Sequence, residues 1–327
     1  RRRHTRLQGD WSSDVCSSDL MSLVVVGTVA FDAIETPFGK TDKIIGGAAT
    51  YSGTAASYFT KDIKLVSVVG DDFPKSQIEQ FHRHGIKTDG LQVKTGQKTF
   101  FWSGRYHTDM NTRDTLDTQL NVLANFQPVV PESYQDCEFL MLGNLVPAVQ
   151  RSVIAQLKQR PRLIVMDTMN FWMETALDEL KATIAMVDVL MVNDSEARQL
   201  SGDYSLVRAA STIMQMGPKY VIIKKGEHGA LLFHEDKVFF APALPLEEVF
   251  DPTGAGDTFA GGFIGHLART KDVSFENMKT AIIIGSAMAS YCVEKFGTQR
   301  LRELSKDDIA NRLNDFVQLV NFDIKLY

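Results

Sequence analysis

The sequence predicts an α/β protein of three layers, with a mostly parallel central sheet, helices on both faces of the sheet and a small β lid. Short apolar runs, rich in β-branched residues, alternate with helical stretches along most of the chain, which is typical of βαβ units and a parallel sheet. Polar residues follow several of these runs, at the strand ends where such sheets bind ligands. Two strand-like excursions, near residues 34–45 and 91–119, interrupt the alternation and predict the lid.

The composition is typical of a globular protein that binds neither nucleic acid nor a membrane. The chain has 327 residues, 44% hydrophobic and 23% charged, which is enough for one large α/β domain. The net charge is -5, and no basic stripe occurs beyond the first residues, which argues against nucleic-acid binding. No run reaches the ~18 apolar residues of a membrane helix.

Residues 1–20 differ from the rest of the chain. They are rich in Ser and Asp, and their basic start is not followed by the apolar stretch of a signal peptide, so they resemble translated vector or adapter sequence. We expect one domain over residues 21–319 and a short tail at 320–327. Cys137 and Cys292 lie in apolar surroundings, so we expect buried thiols, no disulfide framework and a reducing cytoplasm.

Six short strands, each followed by a turn or a helix, carry the alternation. They are predicted over Leu23–Val26, Ile63–Val69, Phe139–Leu142, Leu163–Met166, Val189–Val192 and Tyr220–Ile223, with an edge hairpin over 230–240. Helices are predicted over Ala48–Phe59, Lys75–His84, Ala148–Gln159, Thr175–Met186, Leu206–Met216, Met278–Val293 and Ser305–Leu319. The polar residues expected along one rim of the sheet are Asp32, Asp71, Asn144, Asp167, Asn193 and Lys225.

The lid segment around Gln97–Tyr106 is rich in aromatic residues and contains a glycine. The lid aromatics could form the core of the lid or stack on the base of a nucleoside; they are Phe100, Phe101, Trp102 and Tyr106. Arg105 is equally consistent with a solvated strand residue and with a substrate contact.

The stretch with the clearest chemistry is DPTGAGDTFAGGF at residues 251–263. Gly254 and Gly256 let the backbone approach a ligand, and the N–H groups at the start of the following helix, near Asp257, form an anion site. A carboxylate beside a bound phosphate could accept a proton from an attacking hydroxyl. The stretch therefore indicates phosphoryl transfer to an alcohol, and the alternative is a glycine-rich turn capped by an aspartate.

These features, in this order, resemble the ribokinase-like, or PfkB, family of carbohydrate and nucleoside kinases over about residues 21–317. Asp251–Phe263 matches the C-terminal signature of that family, and Gly46-Gly47 matches the N-terminal one more weakly. The resemblance implies that Asp257 is the general base. It also implies that the backbone amides of Gly254, Ala255 and Gly256 form the anion hole.

The resemblance further implies ATP and Mg²⁺ as cofactors. Asn193 and Glu196 match an N-x-x-E element that would organise magnesium and its waters, although the same spacing is typical of a capping box. Lys225, Gly226 and Gly229 match a nucleotide-binding turn, and no Walker A sequence is present. Asp251 either binds a monovalent cation, such as potassium, or caps the turn before Pro252.

For the acceptor, the resemblance implies Asp32 and the backbone of Gly46 and Gly47, with Arg105 and Asn170 as weaker candidates. Many sugar kinases of the family carry Asn shortly after the double glycine, whereas this chain has Ala48-Ala49-Thr50-Tyr51. A sugar kinase is the first hypothesis and a nucleoside kinase the second. A non-catalytic sugar- or nucleotide-binding regulator is the third, against which the intact Asp257 argues. A homodimer formed through the lid is also suggested by the resemblance alone.

Overall fold

The fold was obtained as a computed structural model, which describes residues 22–321. The leader predicted at residues 1–20 and all but the first two residues of the predicted tail lie outside the described residues. In chain order the strands are β1 (Leu23–Val26), β2 (Ala30–Thr36), β3 (Gly39–Lys40), β4 (Ile44–Gly46), β5 (Ile63–Gly70), β6 (Ile86–Lys94), β7 (Phe101–Tyr106), β8 (Arg113–Gln119), β9 (Phe139–Leu142), β10 (Leu163–Asp167), β11 (Val189–Asn193), β12 (Tyr220–Lys224), β13 (Ala230–His234) and β14 (Lys237–Ala241).

Nine of these strands form the main sheet, in the order β14-β13-β12-β11-β10-β9-β1-β5-β6. The seven strands from β12 to β6 are parallel, and β13 and β14 add the predicted antiparallel hairpin at one edge. Strand β1 shows why the sheet needs two helical layers. Leu23 and Val25 pack into the core on one face, whereas Val24 and Val26 pack into the core on the other, so both faces are covered.

The helices are α1 (Ala48–Ala56), α2 (Lys75–Arg83), α3 (Pro147–Ala155), α4 (Asn170–Thr175), α5 (Leu177–Ile184), α6 (Asp194–Ser201), α7 (Leu206–Met214), α8 (Ala255–Thr270), α9 (Phe275–Cys292), α10 (Gln299–Arg302) and α11 (Lys306–Val320). Helices α1, α2, α8 and α9 cover one face of the main sheet, and α3, α5, α6 and α7 cover the other. The predicted helix Thr175–Met186 corresponds to α5, which begins two residues later than expected because the backbone leaves helical geometry at Ala176 (φ -149°, ψ 42°).

A second sheet forms the predicted lid, with strand order β3-β2-β7-β8 and β4 paired to β2. Its second segment starts later than expected. Residues 91–94 belong to β6, which pairs with β5 at the edge of the main sheet, so the predicted boundary at residue 91 is wrong. The last strand, β8, is exposed along its whole length.

Helix α8 packs tightly on α1, and this contact positions the start of α8. A Cβ added to Gly261 would lie 2.2 Å from the backbone oxygen of Ser52, so only glycine permits this approach. The Ser52 hydroxyl donates a hydrogen bond to the backbone oxygen of Asp257 at 3.0 Å. The Asp257 backbone is therefore held against α1.

Cys137 and Cys292 are free and buried, as predicted. Among the helices of residues 22–321, none combines the length and the apolar character that crossing a bilayer requires.

Candidate active site

At the carboxyl ends of the parallel strands, Asp167 on β10 and Lys224 on β12 face the start of α8. Strand periodicity explains which side chains reach it. Val165 and Ile222 lie in the core on the face covered by α8, and Asp167 and Lys224 are two residues further along the same strands. Side chains two residues apart share a face, so Asp167 and Lys224 are directed to the side of α8.

The predicted acceptor residues Asp32, Gly46 and Gly47 lie together. A Cβ added to Gly46 would lie 1.7 Å from Asp32 Oδ2, and the Gly47 backbone N–H donates a hydrogen bond to the Asp32 carboxylate. Gly47 has φ 96°, and a Cβ there would lie 2.5 Å from the backbone oxygen of Thr28. Glycine is therefore required at Gly47 for both conformation and space.

Three aspartates from different segments couple electrostatically at this site. Burial, together with the negative charges of Asp251 and Asp257, raises the pKa of Asp32 to about 8. Asp32 is almost fully buried and Asp251 is completely so, whereas Asp257 is half-buried. Like charges in low-dielectric surroundings disfavour ionisation, so this cluster favours a group that neutralises or hydrogen-bonds a carboxyl.

The start of α8 has the geometry expected of an anion site. Gly254 is the N-cap in the left-handed conformation, with φ 76°, and no side chain caps the helix. Backbone N–H groups at such a start point toward the ligand side, where the helix dipole favours negative charge. The Ala255 N–H donates to the Pro252 carbonyl at 3.2 Å and so also closes the turn. The helix begins at Ala255, two residues before Asp257.

Asp257 lies in the first turn of α8, and its surroundings favour a carboxyl that exchanges a proton near neutrality. Burial raises the pKa of Asp257 to about 7, and the charge of Asp167 adds to the rise, while Lys224 and Arg113 oppose it. General bases are most effective when their pKa lies near the working pH.

Lys224, which the sequence did not single out, is the lysine directed into the site. Its Nζ donates to Asp167 Oδ2 at 2.8 Å, and a Cβ added to Gly256 would lie 3.1 Å from that Nζ. The predicted Lys225 comes one residue later, after β12 has ended. Its backbone N–H donates to the Gly229 carbonyl at 2.8 Å, so Lys225 contributes to the turn instead.

The predicted nucleotide turn is present at residues 226–229. Gly226 has φ 54° and Gly229 has φ 87°, and a Cβ on Gly229 would lie 2.0 Å from the Ala241 carbonyl oxygen. The lid reaches this turn, since a Cβ on Gly226 would lie 2.5 Å from Asn111 Oδ1. The lid therefore spans the distance from the acceptor residues to the predicted nucleotide turn.

Asn193 and Glu196 form a capping box at the start of α6. Asn193 Oδ1 accepts the Glu196 N–H at 2.8 Å, and Glu196 Oε2 accepts the Asn193 N–H at 2.7 Å. Burial raises the pKa of Glu196 to about 7, a rise that the charge of Lys224 opposes. Residues 22–321 contain no group of three or more His, Cys, Asp or Glu side chains that could enclose a metal ion. The Glu196 carboxylate is the kind of oxygen ligand that Mg²⁺ takes in small number while it keeps several waters.

Asp251 caps the turn, which was one of its two predicted roles. Its Oδ1 accepts the Thr253 N–H at 2.9 Å, and its Oδ2 accepts the Gly297 N–H at 2.8 Å. The first hydrogen bond closes the residue 251–254 loop, and the second joins that loop to the segment after α9.

The structure does not bring Arg105 or Asn170 to Asp32. Arg105 pairs with Glu35 at 2.8 Å on the lid, and β2–β7 register puts both on the strand face opposite Asp32. Asn170 begins α4, and its amide contacts Gln199 on α6. Both weak acceptor candidates therefore hold surface contacts in this structure.

Two lid residues act on the site: Tyr106, which the sequence offered only as a stacking or packing residue, and Arg113, which it did not single out. The Tyr106 hydroxyl accepts a hydrogen bond from Thr253 Oγ1 at 3.2 Å. Arg113 is paired opposite Tyr106 in the lid sheet, and its charge lowers the pKa of both Asp257 and Glu196. No periodic pattern along the chain marks Arg113.

Comparison with known proteins agrees with this geometry. A family model described as pfkB family carbohydrate kinase matches residues 20–304. Cytidine kinase from Thermococcus kodakarensis is 28% identical over 283 residues, which are 85% of this chain and 98% of the relative.

Two solved structures establish the fold. Nucleoside kinase from Methanocaldococcus jannaschii, an archaeal member of the ribokinase family, has a TM-score of 0.72 at 21% identity, over 90% of this chain and 99% of that chain. A putative ribokinase II from E. coli, in complex with ATP and Mg²⁺, has a TM-score of 0.73 at 19% identity, over 92% of this chain and 100% of that chain. The predicted ribokinase-like fold is therefore confirmed.

Proposed function

Since the chain belongs to the pfkB family of carbohydrate kinases, we propose that it transfers the γ-phosphoryl group of ATP to a hydroxyl of a carbohydrate. The observation that carries this proposal is Asp257 in the first turn of α8, beside an uncapped helix start and near the buried Asp32. An anion site and a basic carboxylate at one point are what phosphoryl transfer to an alcohol requires.

In this proposal Asp257 accepts the proton of the attacking hydroxyl. Its raised pKa makes the carboxylate a better proton acceptor than an ordinary aspartate. The Gly254–Gly256 backbone and the α8 dipole stabilise the negative charge of the transferring group. Asn193 and Glu196 would hold magnesium and its waters near the nucleotide phosphates. When bound, magnesium supplies charge neutralisation on those phosphates.

Acceptor binding is assigned to Asp32, Gly46 and Gly47. An ionised carboxylate accepts hydrogen bonds from two hydroxyl groups, and vicinal hydroxyls are common to free sugars and ribosides. The Asp32 carboxyl is nearly inaccessible to solvent and repelled by two other aspartates. Hydrogen bonds from an acceptor would offset part of the cost of ionising it.

A nucleoside acceptor is the second candidate, and the lid gives it specific support. Trp102 is paired with Asp32 in the β2–β7 register, so both side chains share a face of the lid sheet. The Trp102 ring covers Gly104, where a Cβ would lie 2.2 Å from the ring. A half-exposed indole near the acceptor residues suits base stacking, and the relative named cytidine kinase favours the same class.

A panel of acceptors tests the proposal. Sugars and nucleosides would be offered side by side with MgATP, and ADP release would be measured for each, with and without potassium. We expect at least one acceptor to stimulate ADP release, and nucleosides to exceed free sugars if Trp102 stacks on a base. No stimulation by any acceptor, together with retained ligand binding, would support the non-catalytic regulator instead.

Two finer predictions depend on the same panel. A potassium requirement would support a monovalent-cation site near Asp251. For a homodimer through the lid, the exposed edge strand β8 is the candidate surface, and sedimentation of the protein with and without acceptor tests it.

A further inference from the structure

We propose that Lys224 binds the transferring phosphoryl group and stabilises its charge during the reaction. This assignment rests on the proposed kinase function and adds a catalytic residue to it. The residue differs from the predicted nucleotide-turn lysine, Lys225, which follows it in the chain.

The position of Lys224 carries the inference. Its ammonium lies so close to the first turn of α8 that a Cβ on Gly256 would be 3.1 Å from Nζ and 3.8 Å from Cε. The absence of a side chain at Gly256 therefore leaves room between the lysine and the anion site. A group bound by the helix start would meet the ammonium there.

The hydrogen bonds of Lys224 leave capacity for a ligand. The ammonium has three donors, and Asp167 Oδ2 accepts one of them at 2.8 Å. Asp167 is itself fixed, because its Oδ1 accepts the Thr168 N–H at 2.9 Å. The pair thus holds Nζ in one position, which is the preorganisation that catalysis by charge stabilisation requires.

Lys224 also keeps its positive charge despite its burial. Burial alone would lower its pKa, but the charges of Asp167 and Glu196, with a contribution from Asp257, raise it. Lys224 therefore stays protonated throughout the physiological pH range. A purely structural pair would need only Asp167, whereas Lys224 lies between Asp167 and the helix start.

Four variants of the full chain test the assignment: Lys224→Met, Lys224→Arg, the double variant Lys224→Met with Asp167→Asn, and Lys219→Met. The double variant is included because Lys224→Met alone leaves the buried Asp167 without its partner, which destabilises a fold. Lys219 is the matched control. It precedes the opposite end of β12, and its side chain is 72% exposed.

The measurements are kcat with the acceptor found in the panel and the Kd of MgATP and of MgADP by calorimetry. Removing one donor to a developing charge typically lowers kcat by about 10²–10³-fold, and we expect this for Lys224→Met and for the double variant. ATP binding should weaken by at least about tenfold while ADP binding changes by less than about threefold, because only ATP carries the γ-phosphoryl group. Lys224→Arg should recover part of kcat, and Lys219→Met should match the wild type.

Two results would overturn the assignment in different ways. If the wild type turns over an acceptor but the folded double variant keeps its kcat, or loses ATP and ADP affinity equally, the lysine is a structural partner of Asp167 and the kinase proposal stands. If the wild type turns over no acceptor at all, the kinase proposal fails and the role of Lys224 fails with it.

Discussion

The hydroxyl of Thr253 donates a hydrogen bond to the hydroxyl of Tyr106 at 3.2 Å, and this contact joins the lid to the loop that precedes α8. Tyr106 is buried at the end of β7, and Thr253 lies one residue before Gly254. The lid also carries Asp32. The position of the proposed acceptor residue is therefore linked to that of the proposed anion site.

Replacing Tyr106 by Phe should weaken acceptor binding more than it lowers the maximal rate. The change removes one hydrogen bond worth about 0.5–1.5 kcal/mol and keeps the ring. We expect the KM of the acceptor to rise roughly 2- to 10-fold with little change in kcat, measured by steady-state kinetics. Tyr204→Phe is the control, since Tyr204 is exposed on the surface. Equal effects of the two substitutions would argue against coupling through the lid.

Replacing Gly254 by Ala should damage the site beyond the cost of backbone strain. Gly254 and Gly202 have almost the same φ, 76° and 75°, but a Cβ on Gly254 would lie 2.5 Å from the Tyr51 ring, whereas nothing lies within 4 Å of one on Gly202. Strain costs roughly 1–2 kcal/mol at either position. Only Gly254→Ala should also lower kcat, by at least about tenfold, or 1.4 kcal/mol. If Gly202→Ala lowered kcat as much as Gly254→Ala, the loss of activity would not come from the contact of the added Cβ with Tyr51.

The rate should depend on pH through Asp257. Burial and the charge of Asp167 raise the pKa of Asp257 to about 7, and a general base acts only when deprotonated. The kcat/KM should therefore rise with pH across neutrality and level off above it. Asp167→Asn removes a negative charge and should move this rise to lower pH. A rise centred near pH 4, the ordinary value for aspartate, would contradict the assignment.

Asp32→Asn should stabilise the protein in a pH-dependent way while it abolishes acceptor binding. The pKa of Asp32 is about 8 in the folded protein and about 4 when unfolded. The folded state thus binds a proton that the unfolded state has released, so wild-type stability falls as pH rises from about 4 to 8.

The Asp32→Asn substitution removes this pH-dependent loss of stability. The Tm of Asp32→Asn, minus that of the wild type, should grow from pH 5 to pH 8 by about 2 °C or more. Asp72→Asn is the control, because hydrogen bonds from Thr99 and Lys43 hold the pKa of Asp72 below its ordinary value despite partial burial. Asp72 is therefore ionised in both the folded and the unfolded state from pH 5 to pH 8, and its Tm difference should stay constant over that range. A Tm difference between Asp32→Asn and the wild type that stays constant with pH would show that the pKa of Asp32 is not raised.

Most of the strands that the sequence predicted correctly are buried on both faces. Apolar runs such as Phe139–Leu142 are too short for a buried helix, so their length favours a buried strand. Strand β6 alternates irregularly between buried and exposed residues at the sheet edge, and β8 is exposed throughout. Neither has the apolar periodicity by which a strand is recognised in a sequence.

The proposed site was predictable where one segment carries its chemistry. Residues 251–257 contain the loop, the helix start and the carboxylate in seven positions. The local sequence could not show which of Lys224 and Lys225 enters the site, because the answer depends on which face of β12 is covered by α8. The position of Arg113 near the site follows from its pairing with Tyr106 in the lid sheet. No spacing along the chain reveals this pairing.

The role of Asp257 as the general base is tested most directly by the rate at which the Asp257→Asn variant forms ADP, with acceptor present and MgATP saturating. The substitution keeps the size of the side chain and removes the proton acceptor. We predict a folded protein that binds ATP normally and turns over at least about 10²-fold more slowly than the wild type. Turnover close to that of the wild type would contradict the assignment of Asp257 as the base, and with it the proposed mechanism.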